Sequence, residues 1–165
     1  MIITQILPTP VGPLSILARD GVLVSAGFTP DPREMFLRLP EPLRALPLQE
    51  GDLGDTAQAV REYLDGKIDA LDRVAAEQPG TPTRQRLYAA LRSVPAGTTV
   101  SYGELAERAG LPKTAARAAG SACAQNLIAP FVPCHRVLPA SGGHGGYYYG
   151  RPVKQWLLAH EAAAS

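Results

Sequence analysis

Met1-Ile2-Ile3-Thr4 opens the chain on a strand-like pattern, and two further strand-like runs, Pro13 to Leu17 and Val22 to Phe28, flank Asp20-Gly21. That dipeptide suits the left-handed dihedrals of a tight hairpin turn, so the spacing predicts a small antiparallel sheet. The periodicity then becomes helical. Pro32 to Leu39 and Asp55 to Leu64 read as helices, with Pro32 in a first turn, Asp55 as the N-cap and Gly66 just past the end. At Gln78-Pro79-Gly80-Thr81-Pro82, Pro and Gly interrupt both the periodicity and the acidic composition, which divides the chain into domains of residues 1–78 and 79–165. In the second part Ser101-Tyr102-Gly103-Glu104 fits a capping box and opens a helix through Arg108, which Ala109-Gly110-Leu111-Pro112 breaks. A second helix is expected from Lys113 to about Gln125, where nearly every residue is small and Arg117 is the one long cationic side chain. The last residues, Ala162 to Ser165, are expected to fray.

Helix, short turn, helix is the organisation of a helix-turn-helix, and equally of two packed helices in any small domain; the pattern alone leaves that choice open. The run of small residues adds a physical use. A helix surfaced by Ala116, Ala118, Ala119 and Gly120 can approach a narrow minor groove closely, and Arg117 would project from it into a base stack.

Composition narrows the field. A chain of 165 residues that is 45% hydrophobic can bury one compact domain or two small ones. Its apolar stretches, such as Gly21 to Phe28 and Ala122 to Val132, are too short or too broken to span a bilayer, so no membrane role is expected. No basic, apolar, small-residue sequence of a secretory signal precedes the first strand, which predicts a cytoplasmic protein. Two cysteines, Cys123 and Cys134, are too few for a disulfide framework and are expected to be reduced. The net charge of +1 conceals an asymmetry: residues 1–75 hold 7 Lys and Arg against 11 Asp and Glu, a balance of -4, and residues 76–165 hold 9 against 4, a balance of +5. A basic half is consistent with a polyanionic partner and equally with an ordinary charged surface.

Candidate chemistry concentrates in Phe131-Val132-Pro133-Cys134-His135-Arg136-Val137. A cysteine beside histidine and arginine has local positive charge to favour the thiolate, the form that attacks carbon. Neighbouring side chains on a strand point to opposite faces, so adjacency does not place His135 on the sulfur, and a buried structural cysteine fits the same residues. The set Cys123, Cys134, His135 and His144 has no zinc-ligand spacing, the acidic residues of the first part are dispersed, and no phosphate-cradling Gly loop occurs. Neither a metal nor a cofactor is expected.

Pro133-Cys134-His135-Arg136-Val137 resembles the active-site signature of the O6-alkylguanine-DNA alkyltransferases, the methylated-DNA-protein-cysteine methyltransferases. The resemblance runs from Gly80-Thr81-Pro82 through Val100 to Leu105, Ala116-Arg117-Ala118 and Asn126 to Trp156-Leu157-Leu158-Ala159-His160-Glu161, which is essentially the whole second part; in the first part it is confined to Thr9 to Leu14. It implies an α+β chain: a small N-terminal antiparallel sheet with helices, ribonuclease H-like, then a mainly helical C-terminal domain with a winged helix-turn-helix. It implies a monomer that binds the minor groove of double-stranded DNA containing O6-alkylguanine, flips the base and moves its alkyl group irreversibly, once per molecule, onto Cys134. His135 would be the base, linked through a water to Glu161, which sets the imidazole tautomer. Asn126 would hold backbone near the sulfur and Tyr102 would protonate the departing guanine. Val137, Tyr147 and Tyr148 would line the pocket with Lys154 ordering that wall, and Ala116, Arg117 and Tyr102 would meet the DNA.

The chain departs from the family pattern at Thr83-Arg84 and Tyr88, where Phe-Gln and Trp are usual, and at Tyr147-Tyr148-Tyr149-Gly150, where one Tyr is followed by small residues. Tyr148 and Tyr149 either turn outward or narrow the site, and side-chain volume favours narrowing. Two other functions fit parts of the pattern: a protein that recognises alkylated DNA without transfer, whose relatives replace the cysteine that is present here, and a cysteine hydrolase using Cys134, His135 and Glu161.

Overall fold

The computed structural model describes residues 1–164, which cluster into two compact units: 1–79 with 127–131, and 80–126 with 132–164. Ser165, the end of the expected fraying segment and of the second domain, lies outside the described residues.

In the first unit, β1 (Ile2–Leu7), β2 (Leu14–Arg19) and β3 (Val22–Gly27) form an antiparallel meander. Asp20 and Gly21 join β2 to β3 at φ 51 and 80°, the pair of positive dihedrals that a two-residue hairpin needs. β2 is buried from Leu14 to Ala18 and β3 from Leu23 to Gly27, which is why both read as nearly continuous apolar runs rather than as alternation. A fourth strand, β4 (Leu48–Glu50), pairs in parallel with β1, so the sheet has the order β3-β2-β1-β4 and is mixed at one edge. The other edge does not stay open: the Leu23 amide donates to the Ala75 carbonyl (2.9 Å), the Ala26 amide to the Leu127 carbonyl (2.8 Å), and the Ala129 amide to the Ala26 carbonyl (3.1 Å). The segment 127–131 therefore belongs with this sheet although its sequence neighbours on both sides belong to the second unit.

Two helical expectations change in detail. α1 (Pro32–Phe36) stops short of Leu39, because the following residues close single turns ahead of Pro40, and a residue before proline is driven out of the helical region. After α2 (Glu41–Arg44), α3 (Gly54–Leu64) starts one residue before Asp55, which therefore lies inside the first turn and is not the cap. The Asp52 carboxylate accepts the Gly54 amide instead, at 2.8 Å, and Gly66 follows the helix at φ 109° as expected.

In the second unit, α4 (Pro82–Ser93) is capped by Thr81, whose hydroxyl accepts the Arg84 amide at 3.1 Å. β5 (Val100–Ser101) leads into α5 (Tyr102–Arg108), and the capping box forms in both directions: the Ser101 hydroxyl accepts from the Glu104 amide at 3.1 Å, and the Glu104 carboxylate accepts from the Ser101 amide at 3.0 Å. A 3-10 turn over Lys113–Ala115 precedes α6 (Ala116–Ala124), so the second helix of the helix-turn-helix begins three residues later than its sequence suggests. β6 (Val137–Leu138) pairs in parallel with β5, and α7 (Arg151–Ala164) stays helical through Ala164. Leu87, Leu91, Leu105, Ala119, Ala122 and Leu157 form the core that holds these helices together. Among the described residues no helix is long and apolar enough to cross a membrane.

Candidate active site

Cys134 opens a 3-10 turn, Cys134–Arg136, and that turn decides the geometry. Successive residues in it diverge by roughly a third of a revolution instead of alternating, so His135 and Arg136 both reach the same carboxylate while Cys134 faces a cavity. His135 Nε2 lies 2.7 Å from Glu161 Oε2; Arg136 donates from Nε to Glu161 Oε1 at 2.8 Å and from Nη2 to Oε2 at 3.2 Å. A further Arg136 nitrogen donates to the Val94 carbonyl at 2.8 Å. His135, Arg136 and Glu161 are all at most 2% exposed. The contact between His135 and Glu161 is direct, which corrects the expectation of a water between them.

The direct bond fixes the proton. Burial alone would raise the Glu161 carboxyl, but the hydrogen bonds and charges of His135 and Arg136 outweigh it and hold the group well below the usual carboxylate range, so Glu161 is ionised. A carboxylate can only accept, which puts the imidazole hydrogen on Nε2. Burial presses the His135 pKa down, so the ring is neutral, and among the described residues no group bonds its buried Nδ1. With the hydrogen on Nε2, Nδ1 is the ring's proton-accepting nitrogen.

Cys134 is held from the other side by Asn126, whose side-chain amide donates to the Val132 carbonyl at 2.7 Å and to the sulfur at 3.3 Å. Burial raises the Cys134 thiol above its ordinary value, opposed by the Asn126 hydrogen bond and the charge of Lys154. The adjacent Arg136, credited in the sequence with favouring the thiolate, is instead turned onto Glu161. Lys154 is the cation that serves the sulfur, from α7. It is 1% exposed, and its ammonium donates to the carbonyls of Val137 at 2.9 Å and Gly146 at 3.3 Å. Because burial dominates, the rate at which iodoacetamide alkylates Cys134 is expected still to be rising at pH 9, the ordinary thiol midpoint, and Asn126→Ala should move the profile further up. A plateau below pH 8 would contradict this.

Cys134 shares a cavity of about 270 Å³ with Tyr102, Gly120, Cys123, Ala124, Gly146, Tyr147 and Tyr148. Tyr102, the first residue of α5, lies against Gly120, where an added Cβ would come 3.9 Å from the phenol ring. Tyr147 packs edge-on to His135, with ring centroids 6.5 Å apart. Of the two extra aromatics, Tyr148 lines the cavity although it is 55% exposed, and Tyr149 packs edge-on against it, centroids 4.8 Å apart. Val137 does not line the cavity. Its side chain is fully buried where β6 pairs with β5, and it takes part only through the carbonyl that receives Lys154. Arg117 is exposed on α6 and Ala116 half-buried beside it. Sequence reasoning did not assign Cys123 or Gly120 to the cavity, and it gave the charge of Arg136 to the sulfur rather than to Glu161. For Arg136 the signal was present, since an arginine in a buried motif needs a carboxylate partner, and Glu161 had already been singled out. Among the described residues no cluster of His, Cys, Asp and Glu is placed to hold a metal ion.

Residues 82–163 match the family described as 6-O-methylguanine DNA methyltransferase, DNA binding domain. A methylated-DNA--protein-cysteine methyltransferase of Mycobacterium tuberculosis is 36% identical over 162 residues, covering 98% of this chain and 93% of that protein. The chain belongs to the methylated-DNA-protein-cysteine methyltransferase family. The protein of the same description from Shigella flexneri is 41% identical over 108 residues, and that match spans 66% of this chain and 63% of the relative's length. The crystal structure of Mycobacterium tuberculosis OGT in complex with DNA superposes with a TM-score of 0.80 at 31% identity, covering 99% of this chain and 94% of that one. The methyltransferase fold thus extends over the first unit as well, where the sequence resemblance was confined to Thr9 to Leu14.

Proposed function

We propose that this protein repairs DNA by direct reversal, transferring an alkyl group from O6-alkylguanine to Cys134. The observation that carries the reading is the convergence on one cavity of a sulfur held by Asn126 and a phenol at Tyr102, with the residue after the cysteine a neutral imidazole whose tautomer is fixed by a buried carboxylate. The Cys134 proton passes through a water to Nδ1 of His135, and Glu161 stabilises the imidazolium that results. The sulfur's electron pair forms the new bond to the alkyl carbon as the carbon-oxygen bond breaks, and its electrons go to the guanine, which takes a proton from Tyr102 and leaves neutral. A thioether has no leaving tendency, so each molecule acts once.

An O6 substituent inside a stacked duplex cannot be approached in line, so the base must be flipped out, at a cost of a few kcal/mol. Exposed Arg117, on a helix surfaced by Ala116 and its small neighbours, fills the vacated space from the minor groove. The reading takes residues 79–165 as the domain that binds DNA and accepts the alkyl group, and the protein as a cytoplasmic monomer that needs neither metal nor cofactor. The relative solved with DNA supports the partner.

The test is intact-mass and peptide analysis after incubation with duplex DNA containing O6-methylguanine. One methyl group per molecule on Cys134 is the expected result. Binding without a mass change would make the protein a recognition factor, and turnover of an acyl substrate would make it a cysteine hydrolase. Tyr148 is assigned the narrowing of the cavity, with Tyr149 as its support. Methylguanine is therefore expected to react faster than benzylguanine, and Tyr148→Ala to close most of that gap, as measured by single-turnover rates. Equal rates on both substrates in the unaltered protein would refute the assignment.

A further inference from the structure

The cavity wall holds a thiol that the transfer to Cys134 leaves unused. Cys123, near the end of α6, lines the same cavity of about 270 Å³ as Cys134. One residue ties the two together: the Asn126 backbone amide donates to the Cys123 carbonyl at 3.3 Å while its side-chain amide donates to the Cys134 sulfur, also at 3.3 Å. Both cysteines are free. We propose that Cys123 is a second acceptor, which captures the far carbon of a bifunctional O6 substituent after Cys134 has taken the near one, leaving the two sulfurs joined by a two-carbon bridge. The substrate class is a guanine whose O6 chain ends in a leaving group, such as 2-haloethyl; this part rests on the transfer reaction proposed above.

The chemistry closes without a further reactant. Cys134 displaces guanine from the first carbon, giving a haloethyl thioether. Its sulfur lone pair then expels the halide from the second carbon and closes a three-membered sulfonium ring. The Cys123 sulfur attacks a ring carbon, and the ring bond to that carbon breaks, returning its pair to the Cys134 sulfur. The Cys123 proton passes to water. One halide and one proton are released, and nothing is oxidised or reduced. A cyclic sulfonium reacts with a neutral thiol, so it does not matter that burial pushes the Cys123 thiol far up. Burial raises both thiols, and the Asn126 side-chain hydrogen bond to the Cys134 sulfur assigns the first step to Cys134. A direct disulfide would demand Cβ atoms about 3.5–4.5 Å apart, whereas a two-carbon linker tolerates a wider gap between sulfurs that face one small cavity.

The experiment treats the full chain with duplex DNA containing freshly prepared O6-(2-chloroethyl)guanine, then measures guanine release, free thiols after denaturation and peptide masses. The expected result is loss of both thiols and a cross-linked peptide pair carrying an ethylene bridge. Guanine release with a hydroxyethyl group on Cys134 and a free Cys123 would overturn the second acceptor and leave the transfer reaction standing. No release and an unmodified Cys134 would overturn both. In Cys123→Ser the bridged pair must disappear; if its mass persists, the second link lies elsewhere and the inference fails. Ethylene dibromide with the protein alone is a second probe that bypasses the DNA, and it should give the same bridge.

Discussion

Cys134→Ser is expected to abolish alkyl transfer, by on the order of 10⁶-fold, the scale on which removing a catalytic nucleophile acts. The fold has no reason to respond. Serine is slightly smaller, its hydroxyl accepts the Asn126 amide as the sulfur does, and the buried cluster of His135, Arg136 and Glu161 does not use the sulfur at all. What is lost is chemical: a hydroxyl holds its proton far more tightly than a thiol, and the neutral His135 is too weak a base to remove it. Labelled-methyl transfer measured beside DNA binding separates the effects, with transfer gone and binding to alkylated duplex retained. Residual transfer at a tenth of the normal rate would mean that another residue accepts the alkyl group.

Glu161→Gln should damage both stability and rate. The carboxylate receives three contacts, from His135 Nε2 and from Nε and Nη2 of Arg136, in a site that is almost closed to solvent. An amide offers one acceptor and presents a donor to whichever partner it turns away from, and it leaves the Arg136 guanidinium buried without its counter-charge. Breaking a buried pair in this way costs about 3–5 kcal/mol. If the amide donor faces Nε2, the imidazole hydrogen moves to Nδ1 and blocks the acceptor that the Cys134 proton needs; a wrong tautomer costs roughly 10⁴-fold in rate. The stability gap between the two proteins should also depend on pH. The folded carboxyl lies below the ordinary glutamate value of 4.5, so its contribution is complete above that pH and is lost as the pH falls through the lowered value. Urea titrations at neutral pH and at pH values below 4.5 should show the gap narrowing in acid. A gap that widens there would show that Glu161 is not held ionised.

The parts of the fold legible in the sequence were those written by local chemistry. Asp20-Gly21 specifies a hairpin because few residues tolerate two positive φ values in succession, and Ser101 with Glu104 specifies a helix start because the two groups satisfy each other. β4 was not legible: Leu48–Glu50 is short, two of its three residues are exposed, and its pairing with β1 is a long-range event with no trace in the local pattern. The segment 127–131 was missed for the same reason, since its membership in the first unit rests on backbone hydrogen bonds to Ala26 and side-chain hydrogen bonds with Ser25 and Gln78, all distant in sequence. At the site, residue types were readable and orientations were not. Strand alternation made Cys134 and His135 look divergent, whereas a 3-10 turn sets their directions and brings His135 and Arg136 onto Glu161, and Val137, carried over from the family motif as a pocket wall, is buried where β6 pairs with β5.

Lys154 gives the site an unbalanced ledger of charge. Before reaction the buried groups comprise two cations, Arg136 and Lys154, one anion, Glu161, and a neutral imidazole, so the interior is left with one uncancelled positive charge. Ionisation of Cys134 cancels it, as does loss of a proton from Lys154, whose pKa burial presses down, and a sulfur that has become a thioether can no longer ionise. The unreacted protein therefore has two groups that can restore internal neutrality, and the alkylated one has Lys154 alone of the two.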